Sequence, residues 1–385
     1  DVKNVISDEI LITASGITEA MWEQLKIFVK PGIENEYTEY IYEGNYKGAA
    51  PKYKGSTLNN TLGQMLPRKL KVQPVWNRIP DSLDNYFEKT PISMQRLSTE
   101  GVTAEHTQFQ LLRASEQTSA QVRSNFFLGS RPKNKTNFDN LTTDEQKEYA
   151  LMDGIYTKIA NMIAGTNDDD KDDKNKPLIS SEKGNLIETD PLLGAATGAK
   201  ETYQSVVNFY NSLDAHLLAQ ENILFYVCPK LWNVIKQGYN LTYVGMQTPD
   251  VNNPDFRFTD MPNVQFLHYP TMGYGDNIIA TVEENLGYGT DINTDGEPNK
   301  AFIDINKDPD DAHNIIIQID LRADTIVRNP TKGYFATNGE KNYPSIESWK
   351  KAEEEKAAAE AQREAEQTES EAVEDSAEDS RKVDS

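Results

Sequence analysis

Residues 221–239, "ENILFYVCPKLWNVIKQGY", set an uninterrupted apolar run directly against a helix-like stretch, with Cys228 and Pro229 at the join. Ile223 to Val227 is too short for a helix, and its length suits a strand covered on both faces. Pro229 fits the first helical position, where a missing N–H costs nothing. Leu231, Trp232, Val234 and Ile235 then form an apolar stripe, and Gly238 is the expected stop. The unit reads as a buried strand, a tight turn and a short helix. Cys228, at the end of an apolar strand with no histidine nearby in sequence, reads as a small packed hydrophobe rather than a nucleophile.

Upstream, "YQSVVNFYNSLDAHLL" predicts a helix whose face is Val206, Val207, Tyr210, Leu213, Leu217 and Leu218. Downstream, "NVQFLHYP" and "NIIATVEENLGYGTDI" predict short strands separated by turns, the second as a Gly-rich hairpin. "NIIIQIDLRADTIVRNPTKGYF" predicts two consecutive strands ending at a turn on Asn329-Pro330. In "LTTDEQKEYALMDGIYTKIANMIAG", residues 141–165, the repeat of Leu151, Ile155, Ile159 and Ile163 predicts the clearest long helix, stopped by Gly165. Near the start, "EILITA" predicts a strand, and "TEAMWEQLKIFV" predicts a helix with Met21, Leu25, Phe28 and Val29 on one face.

A chain of 385 residues exceeds one ordinary core, so two or more subdomains or large insertions are expected. Apolar content of 37% and a mean hydropathy of −0.67 are low, which predicts long loops and tails around a diluted core. No window approaches a membrane span, and no secretory signal is recognisable, so a soluble chain is expected. A single cysteine excludes an internal disulfide and any cysteine-based metal cluster.

The net charge of −22 argues against phosphate-driven nucleic-acid binding. Its distribution is uneven. From Lys351 to Ser385 there are 13 acids and 5 bases, in an alanine-rich run too poor in large apolar residues to bury a face. Conversely, Gly44 to Pro80 contains no acid, and Lys47, Lys52, Lys54, Arg68, Lys69, Lys71 and Arg78 give it a charge of +7. This stretch reads either as a solvated loop or as an arm that lies on a neighbouring, mostly acidic, copy of the chain. On the second reading Lys47, Lys52, Lys54, Arg68, Lys69 and Lys71 are candidate subunit contacts.

Signatures of chemistry are absent. There is no GxxxxGK[ST], GxGxxG, HExxH or GxSxG, and the four histidines, His106, His216, His268 and His313, are far apart. The acidic loop "TNDDDKDDKNKP" lacks the Gly and Glu of a calcium loop and reads as disordered. Asp291, Asn293, Asp295 and Gly296 match the first half of such a loop, but Phe302 stands where the closing Glu belongs. No catalytic, cofactor or metal residue is therefore expected.

Across about residues 141–335, the order of these segments resembles the major capsid protein of tailed bacteriophages, with the Hong Kong phage-type fold. Cys228-Pro229-Lys230-Leu231-Trp232 stands where that family has a strand running into "NP-x-x-W", and Val327-Arg328-Asn329-Pro330-Thr331 stands where it has "R-P-x-A". The resemblance implies an α+β fold. Its parts would be an N-terminal arm at 1–35, an extended basic loop at 36–80 and a peripheral domain at 81–200 with a spine helix about 141–165. An axial domain at 201–312, a return to the peripheral domain at 313–345 and an acidic helical or disordered tail at 346–385 would follow. Residues 81–135 have no obvious place in the minimal fold.

The implied function is a structural, non-enzymatic subunit that self-assembles as pentamers and hexamers into an icosahedral shell around double-stranded DNA, touched only non-specifically. The implied partners are portal, scaffold and minor capsid or decoration proteins. The implied location is the virion, assembled in the bacterial host cytoplasm, with no membrane and no cofactor. The rival reading is a secreted or surface carbohydrate- or ligand-binding protein of a bacterium, suggested by 18 Tyr, 4 Trp and many Asn, Asp and Gly turns. A hydrolase with paired carboxylates is a third, with no specific spacing behind it.

Overall fold

The computed structural model describes residues 25–29, 37–43, 64–70, 72–82, 104–132, 147–167, 175–189, 198–243, 256–273, 277–290, 302–307, 314–330 and 334–337, and single positions 136, 139, 170, 171, 192 and 275. Mixed helices and sheets make it an α+β protein. Among the described residues two five-stranded sheets carry it, and a two-stranded hairpin pairs with neither.

The first sheet is built on one long strand, β11 (Asn314–Val327), for which the sequence predicts two. Along β11, β10 (Phe302–Lys307) and β4 (Gln73–Ser82) pair antiparallel with the first part, and β9 (Leu286–Thr290) pairs with the last five residues. β1 (Lys26–Val29) adds to β9 in parallel. The helix expected over "TEAMWEQLKIFV" is thus a strand at its end, because four residues of Lys-Ile-Phe-Val gain a full ladder against β9 that outweighs local helical periodicity. Pro74 and Pro80 share a parity on β4, which is consistent with both sitting where their missing N–H faces away from β11.

The second sheet runs β5 (Leu186–Glu188), β12 (Tyr334–Thr337), β8 (Ile278–Val282), β6 (Ile223–Val227) and β7 (Val264–His268). β6 is interior and all five of its residues are buried, as its unbroken apolar run requires. β8 and β9 do not form the expected hairpin. The chain leaves one sheet for the other through Glu283–Asn285, with Glu284 in the left-handed region (φ 59°). Asn285 fixes that crossing: its amide donates to Thr281 Oγ1 (2.7 Å) and the Asn329 carbonyl (3.0 Å), and its Oδ1 accepts from Asn329 N (2.8 Å). β5 and β12 join β6–β8, while β9 and β10 join β11.

The longest helix among the described residues is α1 (Ala104–Leu128), in the region with no expected role, while the described part of 141–165 holds a shorter one. Its described buried side chains include Ala114, Ser115, Thr118 and Ser119, small and polar enough to erase an apolar stripe from the sequence. Ser115 and Thr118 return their hydroxyls to the Leu112 and Ala114 carbonyls (2.7 and 2.9 Å), so they stay satisfied inside. α2 covers only Ile155–Ala164. The preceding residues are claimed by the end of α1: Asn125 donates to the Glu148 carbonyl (2.8 Å) and accepts from Leu151 N (3.1 Å), and Gly154 N donates to the Gly129 carbonyl (2.8 Å). A Cβ at Gly154 would lie 2.5 Å from the Phe127 carbonyl oxygen. These tertiary bonds replace the helix that periodicity alone predicts.

α3 (Ala199–Asn211) and α4 (Ala215–Leu218) are split at Ser212, and α5 (Pro229–Thr242) follows β6. Pro229 begins α5 as expected, and Cys228 caps it, its buried Sγ accepting from Leu231 N at 3.3 Å. Gly238 does not end α5. It is the point where α5 crosses α3: a Cβ there would strike the Ala199 carbonyl oxygen and come within 2.7 Å of Tyr203 Cβ. Gly238→Ala gains helix propensity of about 1 kcal/mol but must separate two helices at backbone level. The expected result is a net loss of about 1–3 kcal/mol in chemical denaturation, against a gain for an ordinary helical glycine.

Candidate functional site

The two-stranded hairpin contains Arg68 and Lys69 of the basic stretch. β2 (Tyr37–Glu43) pairs antiparallel with β3 (Gln64–Leu70) over seven residue pairs, from Tyr37 opposite Leu70 to Glu43 opposite Gln64. Among the described residues neither strand pairs with either large sheet. Its root is Leu70, 1% exposed, which packs with Ile326 of β11 and Val72. Leu70 also sits over Gly289 of β9, where a Cβ would lie 2.5 Å from Leu70 Cδ2. The glycine of "LGYGT" is thus a seat for the hairpin rather than a turn.

The candidate contacts separate accordingly. Arg68 is registered opposite Glu39 and Lys69 opposite Thr38. Lys47, Lys52, Lys54 and Lys71 lie outside the described residues, as do Asp291–Gly296 and the 346–385 tail.

Below the root, four charged side chains gather where α1, α2 and β11 meet. Lys158 Nζ lies 3.2 and 3.3 Å from the two carboxylate oxygens of Asp324, which is 3% exposed. Burial pushes the Asp324 carboxyl up to about 6, and the charge and hydrogen bond of Lys158 restrain the rise. Asp153 accepts from Arg131 N at 2.9 Å through Oδ1, and its own carbonyl accepts from Thr325 Oγ1 at 2.6 Å. Arg131 is lowered by burial, with Asp153 and Asp324 opposing the shift. These residues escaped sequence reasoning, although an aspartate inside "LRADTIV" and a glycine inside a helical pattern are the two signals that mark them.

In the other sheet the chemistry-bearing residues are structural. Trp232 stacks on Phe266 and His268 (5.2 and 5.3 Å between centroids), with Lys236 Nζ 5.5 Å from its ring. Burial, then the Lys236 charge, lowers the His268 imidazole. Asp260 accepts from the hydroxyls of Tyr203 (2.8 Å) and Tyr243 (2.7 Å); burial, then this bond, raises Tyr203, and the bond to Asp260 pushes Tyr243 up to about 12. In the acidic loop Asp170 is buried and accepts from Asn167 N and Nδ2 (3.1 and 2.7 Å), so this position is a folded turn rather than disordered. Among the described residues no three of His, Cys, Asp and Glu gather as metal ligands, and no helix is long and apolar enough to cross a membrane.

No protein-family model matches the chain, and no curated protein matches it in sequence. Solved structures do. One is a satellite phage P4 procapsid including the size determination (Sid) protein, 11% identical, with a TM-score of 0.52 over 86% of this chain and 90% of that one. Another is the cyanophage A-1(L) capsid asymmetric unit, 10% identical, with a TM-score of 0.50 over 83% of this chain and 93% of that one. The chain has the Hong Kong phage-type capsid fold. Identities this low mean that the capsid fold is kept by packing and pairing patterns, of the kind seen at β6–α5 and at β11, rather than by shared side-chain chemistry. Within the fold of this chain, the long helix among the described residues is α1, and Leu70 at the end of β3 is seated on β9 and β11.

Proposed function

We propose that the chain is a major capsid protein that self-assembles into the icosahedral shell of a tailed bacteriophage around its double-stranded DNA. It is a structural protein, not an enzyme. The observation that carries the reading is the β2–β3 hairpin, which among the described residues is held to its own chain near Leu70. A two-stranded hairpin is marginal in water, and a neighbouring copy is the natural cover for it. In this reading the β11 sheet with α1 and α2 is the peripheral domain, the β6 sheet with α3 and α5 is the axial domain, and the hairpin is the extended loop. Lys47, Lys52, Lys54, Arg68, Lys69 and Lys71 then act between copies.

Scaffold, portal and minor capsid or decoration proteins are its partners, and assembly occurs in the host cytoplasm. An acidic subunit suits a container, because tight DNA binding would oppose release. The carbohydrate-binding rival draws no support from Trp232, the tryptophan whose contacts are described, since its ring is spent in the core. Negative-stain electron microscopy of the purified chain, alone and with a scaffold, should reveal shells, tubes or rings. A chain that is monomeric in every condition overturns the proposal.

A further inference from the structure

The Lys158–Asp324 pair lies next to the hairpin root, and this position gives it a second role. Asp324 is registered opposite Gly289, so the two share a face of the sheet. Leu70 sits on that same face, over Gly289 and Ile326. The carboxyl is therefore buried beside the apolar seat of the hairpin, and Lys158, partly exposed from α2, forms an ion pair with it. Among the described residues, Asp153, before α2, disfavours its charge, and Arg131, after α1, is partly buried within reach of that charge.

We propose that the Asp324 carboxyl is a pH-responsive latch under the root of the β2–β3 hairpin: the root is looser while the carboxyl is charged and paired with Lys158, and tighter once it takes a proton. The inference concerns the single chain and does not depend on shell formation. A carboxyl held up to about 6 in the folded chain, against an ordinary value of 3.8, makes the closed root bind a proton that the opened root releases. The stabilisation is fully present below the ordinary value and is lost as pH rises through about 6. From pH 7.5 to pH 5 the closed-to-open ratio should rise about tenfold.

Hydrogen exchange followed by mass spectrometry on the full, unassembled chain tests this. After correction for the intrinsic pH dependence of exchange, peptides spanning 64–72, 286–290 and 323–327 should gain about tenfold in protection between pH 7.5 and pH 5. Asp324→Asn should show high protection at both pH values with no such gain. Lys158→Met, which removes the charge that restrains the carboxyl, should fold and move the midpoint upward. Protection that does not change with pH in the native chain overturns the proposal, as does an equal gain in Asp324→Asn or an unmoved midpoint in Lys158→Met. A failure to form shells leaves these results intact and bears only on the function proposed above.

Discussion

Trp232→Ala should destabilise the folded chain by about 3–5 kcal/mol, the largest loss expected from any single truncation in this core. The ring fills the space between α5 and β7, within 5.2 to 5.7 Å of the Phe266, His268 and Phe258 rings. Alanine cannot fill that volume, and the neighbours cannot collapse into it, because Phe258 is itself held by Tyr203, Tyr239 and Phe256. Against a typical stability of about 5–15 kcal/mol, a loss of about 3–5 kcal/mol removes roughly a fifth or more of the total. Urea denaturation measures it, and Trp232→Phe, which keeps an aromatic ring against Phe266, should lose less. A loss below about 1 kcal/mol would mean that the ring is peripheral to the core rather than part of it.

The part of the fold that depends on Trp232 was legible in the sequence for the same reason that the substitution is costly. An unbroken apolar run, a proline at the first helical position and an apolar stripe all report burial, and β6 and α5 appear where those signals stand. Legibility failed where burial is polar. α1 hides behind buried Ser115, Thr118 and Ser119, the first two of which return their hydroxyls to their own helix. The 141–165 pattern misled because Asn125, Gly129 and Gly154 bond across it, and no local window contains both sides of those bonds. The same holds for the candidate site. The charge of residues 44–80 could be read directly, but the seat of the hairpin required Leu70 and Gly289 to meet across more than two hundred residues of chain.

Reversing Lys52, Lys54, Lys69 and Lys71 together to Glu should abolish assembly while leaving the subunit folded. Each reversal changes the charge by two, which takes residues 44–80 from +7 to −1 on a chain whose total is already −22. Attraction between arm and neighbour then becomes repulsion between like charges. Folding should be spared because the described core of the hairpin root is Leu70, Val72 and Ile326, none of them charged. Circular dichroism and the thermal midpoint should match the native chain, while sedimentation and electron microscopy show free subunits. Exchange of the same four residues for Gln should weaken assembly without abolishing it, and raised salt should slow the native chain more than the Gln variant, since charges in water are screened over about 10 Å at 0.1 M. Normal shells from the Glu variant would remove these lysines from the contact and leave the hairpin's apolar positions to make it.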